Sequence, residues 1–174
     1  MIHVRRALRL SAFAVTASIA LLARPVAQSG QVAAPAALRA MLEGTWQLDE
    51  WHVDGQVLRP PQIDGRWSNH DGVVLVVYGR RDTGLTTSGF GTYRITPDTW
   101  SYGYARMVTS TAPAGGAATV TATDQGPVRS FKIVRAPGKI VLEGAGGDSR
   151  EYDDTFFTLL QNGKIVRRWR KVIP

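Results

Sequence analysis

EYDDTFFTLLQ (residues 151–161), then Asn162-Gly163, then KIVRRWRKV (164–172) is the stretch that decides the fold. Two runs rich in β-branched and aromatic residues flank a dipeptide that accepts positive φ at both positions, which a two-residue reversal between right-twisted strands requires. Working outward, the device recurs. Residues 128–134 and 139–142 embrace Ala136-Pro137-Gly138, and residues 90–95 and 99–108 flank Thr96-Pro97-Asp98, whose proline presets a turn. Residues 45–53 lead through Asp54-Gly55 into 56–58, and 73–78 is a continuous aliphatic run of the kind expected in a strand covered on both faces. A weaker strand at 119–123 follows the loop 113–118, while Pro60-Pro61 and residues 144–149 read as loops at the ends of the structure.

Nine or so strands joined by hairpins describe an antiparallel meander, and closing such a sheet removes its exposed edges. The spacing of Leu38, Met41 and Leu42 predicts one short helix just before Gly44. Eighteen glycines and nine prolines in 174 residues agree with many short elements. The expected fold class is therefore all-β, an antiparallel up-and-down β-barrel of about 8–10 strands with a short N-terminal helix.

The formal charge of +7 points toward nucleic acid until it is apportioned along the chain. Arg5, Arg6, Arg9 and Arg24 lie in residues 1–29, which hold no acid and read as a basic start, an apolar run from Leu10 to Ala23 and small residues around Ala27-Gln28-Ser29. This is the pattern of a secretory signal peptide. The alternative, an uncut anchor, has a short apolar run for a membrane span. Beyond residue 29 there remain 17 basic side chains against 14 acidic ones, so neither a nucleic-acid partner nor a membrane span is expected of the mature chain. The expected division is signal peptide 1–29, linker and short helix 30–41, barrel 42–174, with a periplasmic or secreted bacterial location. Seventeen arginines against four lysines, with abundant Ala and Gly, is a composition associated with GC-rich bacterial coding. The absence of cysteine excludes disulfides and thiolate metal sites.

Gly44-Thr45-Trp46 at the start of the first strand, with Arg168 and Arg170 near the end of the last, resembles the lipocalin and wider calycin pattern. Gly91-Thr92-Tyr93-Arg94-Ile95, Asp98-Thr99-Trp100 and the stretch 124–131 are similar to the bacterial lipocalin-like proteins, and the resemblance spans roughly residues 42–172. It implies a barrel with a mouth and a floor, Gly44 and Trp46 opening the first strand, and Arg170, or Arg168 one pleat away, packed across the Trp46 indole at the floor. It also implies a small, largely apolar ligand in the lumen.

With Trp46 inside, period two places Leu48, Glu50 and His52 on the same inward face. A carboxylate and an imidazole there would orient a ligand or exchange a proton with it; at a wet strand end they would simply meet solvent. Trp100, Tyr102 and Tyr104 share one strand face, either as an aromatic cavity wall or as ordinary cross-strand packing. Phe156 and Phe157 face opposite ways. No Gly-x-Ser-x-Gly elbow, phosphate loop or zinc spacing is present, so no catalytic residue, metal or cofactor is assigned. The leading function is an exported small-molecule binding protein using Leu48, Glu50, His52, Trp100, Tyr102 and Tyr104. The alternatives are an isomerase- or hydratase-type enzyme using Glu50 and His52, and a barrel filled by its own side chains that binds a protein partner.

Overall fold

A computed structural model describes residues 36–112 and 114–172. Residues 1–29, read above as a signal peptide, lie outside the described residues. The helix α1 (Ala36–Leu42) precedes β1 (Gly44–Val53), β2 (Gln56–Leu58), β3 (Ile63–His70), β4 (Val73–Arg80), β5 (Leu85–Ile95) and β6 (Thr99–Thr111). Then come β7 (Thr119–Asp124), β8 (Arg129–Ala136), β9 (Lys139–Glu143), β10 (Asp148–Tyr152), β11 (Phe156–Gln161) and β12 (Lys164–Lys171). β12 pairs with β1 and closes a ten-strand antiparallel barrel. β2 continues the line of β3 along β1, and β7 pairs along β6 beyond the stretch that β8 covers.

The turns follow from the residues that occupy them. Asp54-Gly55, Asp71-Gly72 and Asn162-Gly163 all hold positive φ at both positions, the geometry of a two-residue hairpin whose twist matches its strands. The third of these is the reversal at which the sequence was first read. The strand boundaries differ from expectation in places. Residues 151–161 are not one strand, because Asp153 Oδ1 accepts the Thr155 and Phe156 amides (2.8 and 2.6 Å) and turns the chain between β10 and β11. Residues 63–70 form a full strand although their polar, glycine-containing sequence carries no strand signal, and β10 already begins inside the 144–149 loop, after a single 3-10 turn at Ala145–Gly147.

The barrel has a floor and a mouth. α1 buries Leu38 and Leu42 at the end where β1 starts, and Tyr93 donates to Glu43 (2.7 Å) to tie that junction to β5. Burial and the Glu43 carboxylate push the Tyr93 phenol up to about 12. Three residues bulge out of the ladders: Asp49 in β1 against β12, Ala105 in β6 against β5, and Val166 in β12 against β11. Each adds one residue to one strand and so exchanges the faces of everything beyond it. At the second bulge the strands approach so closely that a Cβ on Gly91 would run into the Gly103 carbonyl oxygen.

β4 is covered on one face only. Val74 and Val76 are buried inside, whereas Val73, Leu75 and Val77 are 46, 50 and 43% exposed on the outer wall beside Phe90. The unbroken aliphatic run had implied cover on both sides; a barrel has just one interior, and no described element lies over this stretch of wall.

Candidate functional site

The floor half of the lumen is packed with rings. Trp46, Trp100, Trp169, Tyr152, Phe131 and Phe157 are all 2% exposed or less. Tyr152 and Phe157 stack at 4.6 Å, and Trp46 meets both edge-on at 5.7 and 6.1 Å. Trp67 of β3 is the hub, edge-on to Tyr102, Tyr104, Phe157 and Trp169 at 5.4–6.3 Å, with its indole N–H donated to Asn69 Oδ1 (3.0 Å). Asn69 in turn donates to the Leu42 carbonyl (3.3 Å), which links the hub to the end of α1. Leu48, Trp100 and Tyr102 lie inside, fully or almost fully buried, as members of this packing.

Arg150 of β10 is completely buried among the rings. Its guanidinium lies 4.1 Å from the Phe131 ring centre, donates to the Tyr102 hydroxyl (3.0 Å) and meets Asp148 at 3.2 Å. Nothing in the sequence marked this arginine, because a single Arg alternating with polar neighbours reads as a solvated strand face.

The mouth half is different in character. Tyr78, Tyr104, Met107, Leu159 and Arg167 point inward by register yet keep partial exposure. Burial pushes the Tyr104 phenol well above its ordinary value. The Arg167 guanidinium lies against two rings that meet edge-on, 4.2 Å from the centre of Trp51 and 4.3 Å from that of Tyr78. Burial lowers its pKa from the usual arginine value, opposed by Tyr78. Trp51 and Tyr78 meet edge-on at 5.4 Å, and Tyr78 touches Trp169 below it at 6.3 Å. The arrangement is a cluster of inward aromatic and aliphatic side chains with hydroxyl and guanidinium tips.

Glu50 and His52 are not in that cluster. The Asp49 bulge turns Trp51 inward and the two polar residues outward, where Glu50 accepts from Arg59 (2.6 Å) and pairs with His52 (3.0 Å). These bonds, the one to His52 foremost, hold the Glu50 carboxyl below its ordinary range. Strict alternation holds for Trp46 and Leu48, both buried, and shifts by one residue at Asp49. Arg170 is likewise outside, 59% exposed, donating to Asp49 Oδ1 (2.9 Å) beside Phe156, and Arg168 lies over the same ring at 3.7 Å. The cation nearest Trp46 is Lys171, opposite it in the ladder, with Nζ 6.0 Å from the ring centre and donating to the Ala40 carbonyl (3.1 Å). Trp51, Trp67, Arg150 and Arg167 were missed. Trp51 was hidden by the Asp49 bulge, which carries no composition signal.

Among the described residues no group of three or more His, Cys, Asp or Glu side chains is placed to hold a metal ion, and no helix is long and apolar enough to cross a membrane. Fold and site together define a closed, ten-strand antiparallel barrel with an aromatic interior, consistent with a lipocalin-like architecture. No protein-family model, curated protein or solved structure matches the chain.

Proposed function

We propose that this is an exported, lipocalin-like binding protein that holds a small, largely apolar molecule in the mouth half of its lumen. The observation that carries the reading is the set of inward side chains at Tyr78, Tyr104, Met107, Leu159 and Arg167 that stay partly exposed above a fully packed floor. Apolar surface removed from water there contributes about 25 cal/mol per Å², and the hydroxyl and guanidinium tips fix orientation. On this reading Tyr104 is the residue named from the sequence that would meet the ligand, with Trp100 and Tyr102 packed below it and Glu50 and His52 outside. The enzyme alternative has less support, since Glu50 and His52 face the outer wall.

Titration with alkyl and aromatic compounds, followed by tryptophan emission, tests the reading. Saturable quenching at micromolar concentration that weakens in Tyr104→Ala or Tyr78→Ala supports it, and the absence of saturation with every compound refutes it. Export is tested by sequencing the amino terminus of protein released by its own host, with a start between Gln28 and Gln31 expected. Recovery of the intact Met1 chain would refute export.

A second reading, a filled barrel that docks a protein partner, has its own observation. Leu75, Val77 and Phe90 line an outer-wall groove of about 470 Å³ together with Arg66 and Arg106. An unbound lumen combined with loss of a partner on Leu75→Glu would favour it.

A further inference from the structure

The wall of the barrel is left open at β7. Among the described residues this strand pairs with β6 alone, and all six of its residues, Thr119–Asp124, are exposed. An unpaired edge is a template for another strand, and proteins ordinarily blunt it with lysine, proline, a bulge or shortness. The other strand off the closed path, β2, is three residues long and runs into Arg59-Pro60-Pro61. Residues 119–123 read Thr-Val-Thr-Ala-Thr and carry none of these devices. The two most exposed large apolar side chains among the described residues lie in the same region, Val120 at 63% and Val128, just past the strand, at 74%.

The ladder fixes which backbone groups the edge offers. Gln125 N–H donates to the Ala105 carbonyl (2.9 Å), and the pairs Thr123–Met107, Thr121–Thr109 and Thr119–Thr111 fall in step with that bond at every second residue. Hydrogen-bonded and non-hydrogen-bonded pairs alternate in an antiparallel ladder, so Val120 and Ala122 turn their N–H and C=O groups away from β6. An incoming strand must meet them with edge-facing residues of its own. A second β7 does this with the whole run kept in register: Val120 opposite Ala122 of the second copy, Thr119 opposite Thr123, and Thr121 opposite its own counterpart. Threonine then faces threonine on one side of the joined sheet, and valine faces alanine on the other. Asp124, the one charge of the strand, falls beyond the run and is held by Arg106 of its own chain (3.0 Å), so no like charges oppose each other.

We propose that β7 is a self-docking edge, through which two copies of this chain join as an antiparallel two-fold dimer with Thr121 on the axis. Isologous pairing consumes both edges, so association stops at two. A six-residue edge is a small interface, and the dimer is accordingly reversible and concentration-dependent. Its formation does not depend on whether the lumen holds a ligand.

Sedimentation velocity on the purified protein, from micromolar to near-millimolar concentration, should show a dimer fraction that rises with concentration. The chain contains no cysteine, so single cysteines report the geometry. Thr121→Cys is expected to form a disulfide-linked dimer under mild oxidation, because facing residues of a non-hydrogen-bonded pair have Cα atoms about 4.5 Å apart. Val120→Cys should cross-link at least about tenfold more slowly, since the two copies of residue 120 are a diagonal step apart, beyond the roughly 7 Å reach of a disulfide. Thr121→Lys sets two ammonium groups against each other, and Ala122→Pro removes an N–H that β6 does not use. Both should weaken association at least about tenfold with the far-UV dichroism of the parent retained. Should Ala122→Pro fail to fold, the exposed Thr121→Lys decides. A parent that stays monomeric throughout the range overturns the proposal and leaves the edge to an extended segment of a different protein. A dimer that persists in Thr121→Lys, or that cross-links through Leu75→Cys in preference to Thr121→Cys, also overturns it and moves the contact to the outer wall.

Discussion

Trp67→Ala should be close to the most damaging single substitution in the barrel. The ring is 5% exposed and meets four other rings at 5.4–6.3 Å. Truncating a buried aromatic costs about 3–5 kcal/mol through lost transfer energy and the cavity left behind. Asn69, itself fully buried, would also lose the donor to its Oδ1, and an orphaned buried acceptor costs about 1–3 kcal/mol more. The sum, about 4–8 kcal/mol, is comparable to the whole stability of many domains. Trp67→Phe separates the parts: it keeps most of the ring contacts and deletes the N–H, so about 1–3 kcal/mol is expected from the hydrogen bond alone. Urea unfolding monitored by far-UV dichroism, with the slope checked for constancy, gives both numbers. A loss below about 2 kcal/mol for Trp67→Ala would mean that the neighbouring rings collapse into the space and that Trp67 is not the hub.

Three further outcomes follow from the same geometry. Arg170→Ala should cost no more than about 1 kcal/mol in urea unfolding, since an exposed cation paired with Asp49 contributes little; a loss above 3 kcal/mol would restore it to the floor. Gly91→Ala should cost about 3 kcal/mol or more, since its methyl group meets the Gly103 carbonyl, and near-parent stability would contradict the close approach at the Ala105 bulge. Because the Glu50 carboxyl is depressed in the folded state, its stabilisation is complete above its unfolded value near 4.5 and is lost as pH falls through the lower folded value. Glu50→Gln should therefore flatten the decline of stability below about pH 4.5, and an unchanged acid profile would refute the Glu50–His52–Arg59 network.

The sequence declares this fold through its turns. Asp54-Gly55 and Asn162-Gly163 are visible because a positive φ at two successive residues is demanded by the hairpin and supplied by few residue types. The packed identity of Trp46, Leu48, Trp100 and Tyr102 is legible too, since each lies before any bulge in its own strand. What escaped was set by partners rather than by local pattern. Residues 63–70 alternate Ile63, Gly65, Trp67 and Asn69 inward, and a glycine and an asparagine at inward positions erase the apolar period. Arg150 and Arg167 are buried by rings contributed from distant strands, so each looks, in its own strand, like an ordinary surface cation. Glu50 and His52 were misplaced because one unpaired residue, Asp49, is worth half a period.

That residue sits on the seam where the first and last strands meet. The relative slip of those two strands sets the stagger of the whole hydrogen-bond net, and the stagger, together with the strand count, fixes strand tilt and cylinder bore. Arg170 reaches across from β12 to the Asp49 carboxylate at this point, where the circumference is decided. Excision of Asp49 would delete little buried volume. It would leave Leu48 and Glu50 consecutive in a regular ladder opposite Trp169 and Arg168, with Trp51 still inside; the opposite change, pairing Asp49 into the ladder, would turn Trp51 to solvent or re-stagger the wall. The inner and outer surfaces of the mouth are thus two readings of one strand, selected by a single residue of extra length.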